Sequence, residues 1–403
     1  MGPVSKGPAP AGKAAFLWDE SFLWGLVAWR ALKANGLQFD LLRSSDIKKG
    51  ALGEKYRLLF VPGGWASNKL KALGHEGAEA IRGFVNAGGN YFGICGGAGL
   101  ATEEGIGLLP VGRKPLSERV PSLSGRIRAR ISSHQIWGNN ETAGEFHIWW
   151  PSQFVVNGKN VRVLAEFDGP AKDTFSSDIK ASDIKCWTPF EQSYGLNLDP
   201  AKMLGDPLVV EGECGHGRVL ASLIHFDTPD DETGQAALKN IWRYLGGTVS
   251  DAPVKTEERS MASQTQTASL LQPLEKLLNF GLENALWTRR GWTLQWRRGV
   301  RGLEYATLHE VVKELASMTN DASDTAALEG LSHRLRMFCR KAKTLLAMEK
   351  AALSRGETLS FSKSSSADMK ALREELFSGS KSHGGEFKKI LDIADSLLYK
   401  KLK

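Results

Sequence analysis

Between residues 14 and 94, short apolar runs alternate with amphipathic stretches, and that alternation restricts the fold more than any other feature. "AAFLW" reads as a first strand and "ESFLWGLVAWRALKANG" as a helix closed by Gly36. "QFDLL" and "YRLLFV" read as the next two strands, the second stopped by "PGG". "EGAEAIRGFVNAGG" reads as a helix with a glycine cap and "NYFGI" as the strand after it. Glycine-bounded strands that alternate with helices predict an α/β fold, a doubly wound and mostly parallel sheet covered on both faces. Residues 125–225 are richer in strands ("RIRARIS", "FHIWW", "VRVLAEF", "PLVVEGE", "GRVLASLI"), and "TGQAALKNIWRYLGG" closes the domain as a helix.

The pattern breaks at "SDAPVKTEERSMASQTQTAS", which is polar with almost nothing apolar to bury, so residues 249–268 are expected to be a linker. From 269 to 403 leucines recur at spacings of three and four in five segments, as in amphipathic helices packed into an all-α bundle. Charge divides the same way. Residues 261–403 hold 23 Lys and Arg against 16 Asp and Glu, so the whole net charge of +7 lies in the C-terminal third. The expected organisation is a disordered leader at 1–13, an α/β domain at 14–248, the linker, and a basic helical bundle at 269–403.

No run approaches the roughly 18 apolar residues of a membrane span, and "MGPVSKGPAPAG" lacks a signal-peptide core. A cytoplasmic protein is the expectation. Cys95, Cys186, Cys214 and Cys339 are far apart, with no CxxC pair, so neither a disulfide framework nor a zinc knuckle is indicated. "CGH" at 214–216 offers two metal ligands where a site needs about four. No metal and no cofactor is expected.

Ligands and catalytic groups collect at the carboxyl ends of parallel strands. Three segments end there: "VPGGW" with Gly63 and Gly64, "GICGG" with Cys95, and "SLIHFD" with His225 and Asp227. G-x-C-x-G suits a nucleophile on a sharp strand-to-helix turn, where small neighbours avoid clashes. The free N–H groups of the following helix favour a thiolate. His225 is the candidate proton partner. Asp227, two residues on, would share its face of an extended segment and orient the ring. The amides of Gly63 or Gly64 with that of Gly96 would form an oxyanion hole. The plain alternatives are a small buried residue for Cys95, a structural histidine for His225, and a helix N-cap for Asp227.

"FVPGGW", "IRGFVNAGGNYFGICGGAGLA" and "GRVLASLIHFD" resemble the class I glutamine amidotransferase-like fold, which is flavodoxin-like. More narrowly, they resemble the domain at the N-terminus of biotin–protein ligases, over roughly residues 14–248. The resemblance implies a Cys–His–acid triad that cleaves an amide through a thioester, with Cys95 as nucleophile, His225 as base and Asp227 as orienting acid. The family pattern ends in His-x-Glu where this chain has "HFD", which leaves Glu232 as an alternative acid. Biotin-ligase activity is not expected: the nearest match to an adenylate loop, "RRGVRG" at 297–302, reads as lying in a helical context without flanking strands.

Trp18, Trp65, Trp137, Trp149 and Trp150 fall at strand ends or in loops, where they would either wall a flat apolar pocket over Cys95 or staple loops down. His134 and His147 read as structural or substrate-facing. "WTRRGWTLQWRRGVRG" interleaves tryptophans with Arg289, Arg290, Arg297, Arg298 and Arg301. That pattern occurs on nucleic-acid and membrane surfaces, but a helix pair with an apolar face and a basic rim is the favoured reading. The leading functional expectation is cysteine-dependent amide hydrolysis or acyl transfer on a small molecule. The alternatives are a catalytically silent ligand-binding or regulatory module, and an adaptor that meets a protein or nucleic acid through 269–403.

Overall fold

The structure is a computed structural model that describes residues 12–138, 142–250, 264–318, 324–360, 364, 366–379 and 383–403. The chain divides into two compact units, 1–254 and 255–403. The expected leader falls almost wholly outside the described residues, as does 251–263 of the expected linker; residues 264–268 belong to a helix.

In the first unit, strand β1 (Lys13–Leu17) leads to α1 (Leu23–Ala34), β2 (Phe39–Leu42), α2 (Ser44–Lys48) and β3 (Tyr56–Val61). Helix α3 (Ala66–Asn86), β4 (Asn90–Ile94) and α4 (Gly96–Ala101) follow. Then come β5 (Val111–Arg113), β6 (Leu123–Ile131), β7 (Ala143–Trp149), β8 (Phe154–Val156), β9 (Arg162–Pro170), β10 (Phe175–Ser176) and β11 (Ile179–Lys180). Helix α5 (Thr188–Tyr194), β12 (Pro207–Cys214), β13 (Gly217–Ser222) and α6 (Glu232–Tyr244) complete the unit. The parallel strands run in the order β2-β1-β3-β4-β13. Antiparallel strands from the strand-rich segment extend the sheet beyond β13 through β12, β9 and β6.

The order reverses between β1 and β3. Their connections leave in opposite directions, so right-handed crossovers put α1 and α3 on opposite faces and open a crevice at the strand ends. Beneath it, Phe60 packs nearly perpendicular to Phe16 (5.2 Å between centroids) and against Phe92 (5.3 Å) and Trp242 of α6 (5.7 Å). Helix α3 starts at Ala66, ten residues before the sequence reading places it, because its axis breaks at Gly74 (φ 59°, ψ −170°). The break hides residues 66–73 from a periodicity argument.

The second unit is helical with one addition. Helices α7 (Gln264–Glu283), α8 (Gly302–Ala316), α9 (Thr325–Ser354), α10 (Ala367–Phe377) and α11 (Gly385–Leu402) pack together. Between α7 and α8 lies a hairpin, β14 (Trp287–Arg290) and β15 (Thr293–Trp296), turning at Gly291-Trp292 with Gly291 at φ 54°. This adds one hairpin to the helical bundle and corrects the helix-pair reading of 287–302. The alternation of "WTRR" and "TLQW" around a Gly-x pair is a two-residue hairpin signal. Trp287 fixes the hairpin to α7: its indole donates to the Leu278 carbonyl at 3.0 Å, and a side chain on Gly281 would meet the ring at 2.0 Å.

"RRGVRG" therefore follows a strand directly, contrary to the sequence reading. It is no open loop: Val300 and Arg301 are buried, Arg301 pairs with Glu304 at 2.8 Å, and the Gly299 carbonyl accepts from Arg373. Arg301 is thus a core group and no phosphate contact. Among the described residues no helix is long and apolar enough to cross a membrane, and no group of three or more His, Cys, Asp or Glu side chains is placed to hold a metal.

Candidate active site

Cys95 stands between β4 and α4 at φ 51° and ψ −102°, a conformation that costs a side-chain-bearing residue about 1–3 kcal/mol. Backbone packing enforces it. The Cys95 amide donates to the Ser222 carbonyl of β13 at 2.7 Å, and the Cys95 carbonyl accepts from Gly99 at 2.8 Å. A Cβ on Gly97 would lie 1.9 Å from the Val61 carbonyl oxygen, and one on Gly96 2.0 Å from that of Gly64. The bland reason for the glycines, a crowded crossing, is therefore true as well, and its effect is to aim a half-buried thiol at the sheet edge. The sulfur sits 4.0 Å from the Trp149 carbonyl oxygen.

His225 and Asp227 lie past the end of β13. An isolated bridge pairs Ile224 with Ile148 of β7, and the His225 amide donates to the His147 carbonyl at 2.8 Å. The chain then turns, with the Thr228 amide donating to the His225 carbonyl at 3.1 Å. The turn, and no strand alternation, brings Asp227 Oδ1 to 3.0 Å from His225 Nδ1; both residues are buried. Burial works against charge on this imidazole. The Asp227 carboxylate and the Cys95 sulfur beside it outweigh burial and push its pKa up to about 9. Its Nε2 is buried and makes no hydrogen bond among the described residues, nor does Asp227 Oδ2.

The candidate acids differ in position. Asp231, not Asp227, caps α6: its Oδ1 accepts from the Gly234 amide at 3.0 Å, while Oδ2 lies 2.7 Å from His147 Nδ1. Glu232 is exposed in the first turn of α6. His147 also stacks on Trp149, whose indole donates to Thr228 at 3.1 Å, so both residues pin the 225–231 turn from β7. His134 sits elsewhere, 3.4 Å from Glu211 and edge-on to Tyr244.

Gly63, Gly64 and Gly96 come together beside this pair. A Cβ on Gly63 would fall 3.2 Å from His225 Cε1, and Gly64 adopts φ 115°. The tryptophans divide. Trp149 and Trp150 are at the site, 5.7 Å apart between centroids. Trp18 is core beneath α1, Trp65 is 39% exposed ahead of α3, and Trp137 packs with Phe146 and Phe226. The ring that sequence reasoning missed is Trp24, in the first turn of α1, which lies 4.7 Å from the His225 ring and 6.2 Å from Trp150. Four of the non-glycine residues with positive φ gather here: Glu20 and Phe22 in the loop after β1, Cys95, and Trp150. Such conformations persist only where the surrounding structure imposes them.

Cys214 and His216 make no such centre. Cys214 Sγ is 3.3 Å from Asn86 Oδ1, and burial pushes its thiol pKa up.

Residues 37–105 match the family model described as "Biotin-protein ligase, N terminal", a span that includes the PGG loop and Cys95 and ends before His225. No curated protein matches the chain. Among solved structures, the chain is similar to PurLQS from Thermotoga maritima (16% identity, TM-score 0.40, covering 58% of this chain and 99% of that one). It is similar to a glutamine amidotransferase (20%, 0.37, 58% and 99%). It is also similar to part of a β-galactosidase from Bacillus circulans sp. alkalophilus (15%, 0.35, 59% and 32%). Residues 37–105 are thus similar to the biotin–protein ligase N-terminal family model, and they lie in an α/β unit whose parallel strands run β2-β1-β3-β4-β13.

Proposed function

We propose that the first unit cleaves or transfers acyl groups of a small molecule through Cys95, with His225 and Asp227 as its proton-handling pair. The observation that carries this reading is the buried His225, held by Asp227 on Nδ1 and raised in pKa by Asp227 and by the nearby Cys95 sulfur. A histidine whose pKa is raised to about 9 is an imidazolium at neutral pH, the form that stabilises a neighbouring thiolate. In the proposed step the thiolate sulfur adds to the substrate carbonyl carbon, and the oxyanion is met by amides of Gly63 or Gly64 and Gly96. The His225 proton passes to the leaving nitrogen as the carbon–nitrogen bond breaks, leaving a thioester on Cys95. Water then gives its proton to His225 and its oxygen to the acyl carbon, freeing the acid and restoring the thiolate. Trp24, Trp149 and Trp150 favour an apolar or planar acyl group.

The test is acylation of the full chain by p-nitrophenyl acetate, quenched in acid and weighed by mass spectrometry. One acetyl group on Cys95, absent in Cys95→Ser and turning over slowly in His225→Ala, is expected. A chain whose Cys95 carries no acetyl while Cys186 does would overturn the reading.

A further inference from the structure

Lys69 is fully buried in the first, pre-break segment of α3. Burying an ammonium is expensive, so what it holds matters. Its Nζ donates to the Asp19 carbonyl at 3.2 Å and to the Ser21 hydroxyl, both in the loop after β1. Its Cε lies 3.4 Å from where a Cβ on Gly64 would sit, so it passes beneath the loop after β3. The side chain therefore spans the crevice where the strand order reverses and clasps one lip to the other. The clasped loop contains Glu20 (φ 55°) and Phe22 (φ 46°), conformations that persist only when their surroundings impose them. Neighbours fix the same loop: Asp19 binds Arg43 and the Ser44 amide, each at 2.7 Å, and Glu20 accepts from Asn68 at 3.3 Å. Two things follow from the loop's path. The Glu20 carbonyl oxygen closes to 2.5 Å from the Cβ position of Gly64, and α1 starts so that Trp24 lies on the His225 ring.

We infer that Lys69 is a positioning residue for the Cys95–His225 pair, acting through the loop at 19–22 and Trp24 to hold the imidazole and the Gly63–Gly64 amides in register. It touches neither reacting atom and moves no proton. The inference rests on the reading of Cys95 and His225 given above.

The test measures the pH profile of Cys95 alkylation by iodoacetamide in the full chain, with Cys186 as internal control. Lys69→Met is expected to slow Cys95 labelling at pH 7 about 10-fold, because small misplacements of a reacting pair are costly. In a His225→Ala background the same change should add less than about 2-fold, since Lys69 acts through that ring. Lys69→Arg, which retains the clasp, should recover part of the rate. Ser21→Ala, which keeps the charge and removes one acceptor, should shift the profile the same way by less, and it carries the test should Lys69→Met not fold. Wild-type profiles in folded Lys69→Met and Ser21→Ala, or in Ser21→Ala alone where Lys69→Met does not fold, overturn the assignment while His225→Ala still slows labelling. If His225→Ala itself leaves the Cys95 profile unchanged, the underlying pair falls and the inference with it.

Discussion

Asp227 reaches back to His225 across a tight turn, its Oδ1 3.0 Å from Nδ1, while Asp231 four residues later performs the helix capping that Asp227 does not. The two aspartates have separate tasks, and separate variants should show it.

Asp227→Asn is expected to lower Cys95 alkylation at pH 7 by about 10²-fold, because the ring loses the carboxylate that holds its tautomer and its charge. Glu232→Gln should leave the rate within about 2-fold, as an exposed side chain away from the ring does. Equal losses in both variants would show that the acid has been misassigned.

Asp231→Ala removes a cap and the partner of His147 together. Loss of the cap alone costs about 1 kcal/mol, and the unpaired His147 adds to it. Chemical denaturation should therefore show a larger loss than Glu232→Gln produces, and the Cys95 profile should change less than in Asp227→Asn.

Gly97→Ala puts a methyl group 1.9 Å from the Val61 carbonyl and should cost roughly 1–3 kcal/mol or more. Gly83→Ala, at an exposed position in α3 where a Cβ meets nothing within 4 Å, should instead gain about 0.5–1 kcal/mol. Opposite signs in thermal unfolding would separate crowding at the turn from ordinary helix propensity.

Much of this was legible in the sequence because it rests on local rules. The glycines of "PGG" and "GICGG" mark where backbones cross too closely for a Cβ, and the apolar runs before them mark the parallel strands. What escaped notice depends on long-range contact. Trp24 reads as one more apolar residue on a helix, and only the placement of α1 over the 225–228 turn gives it a histidine to cover. Lys69 precedes a helix break, so its place four residues before Leu73 and eight before Gly77 on one buried stripe was not read as helical. Asp227 stands beside His225 because the chain turns there, where the sequence predicts strand alternation. The hairpin at 287–296 sits among leucine-rich helices, and its two strands of four residues are too short for their period to stand out against a helix pair.

In the second unit, Glu349 is buried against Arg373, whose Nε and Nη2 both donate to Oε1 at 3.0 and 2.8 Å. Burial outweighs that pairing and pushes the carboxyl pKa up to about 7 from an ordinary 4.5. A raised folded-state pKa contributes stability that is complete below the unfolded value, about pH 4.5, and is lost as pH rises through about 7. Hydrogen exchange of α9 peptides, scaled for intrinsic rate, should show weaker protection at pH 8 than at pH 5.5, by about 2 kcal/mol. Glu349→Gln should flatten that difference; a wild-type slope in the variant would place the titrating group elsewhere.

The most direct test of the central claim is the rate of iodoacetamide labelling at each cysteine from pH 5 to 10, read by peptide mass spectrometry. With the imidazolium of His225 beside it, Cys95 should label faster at pH 7 than Cys186, Cys214 and Cys339. His225→Ala should remove that lead. A Cys95 that labels no faster than exposed Cys186 at any pH below 8, or one indifferent to His225→Ala, would contradict the pairing on which the account stands.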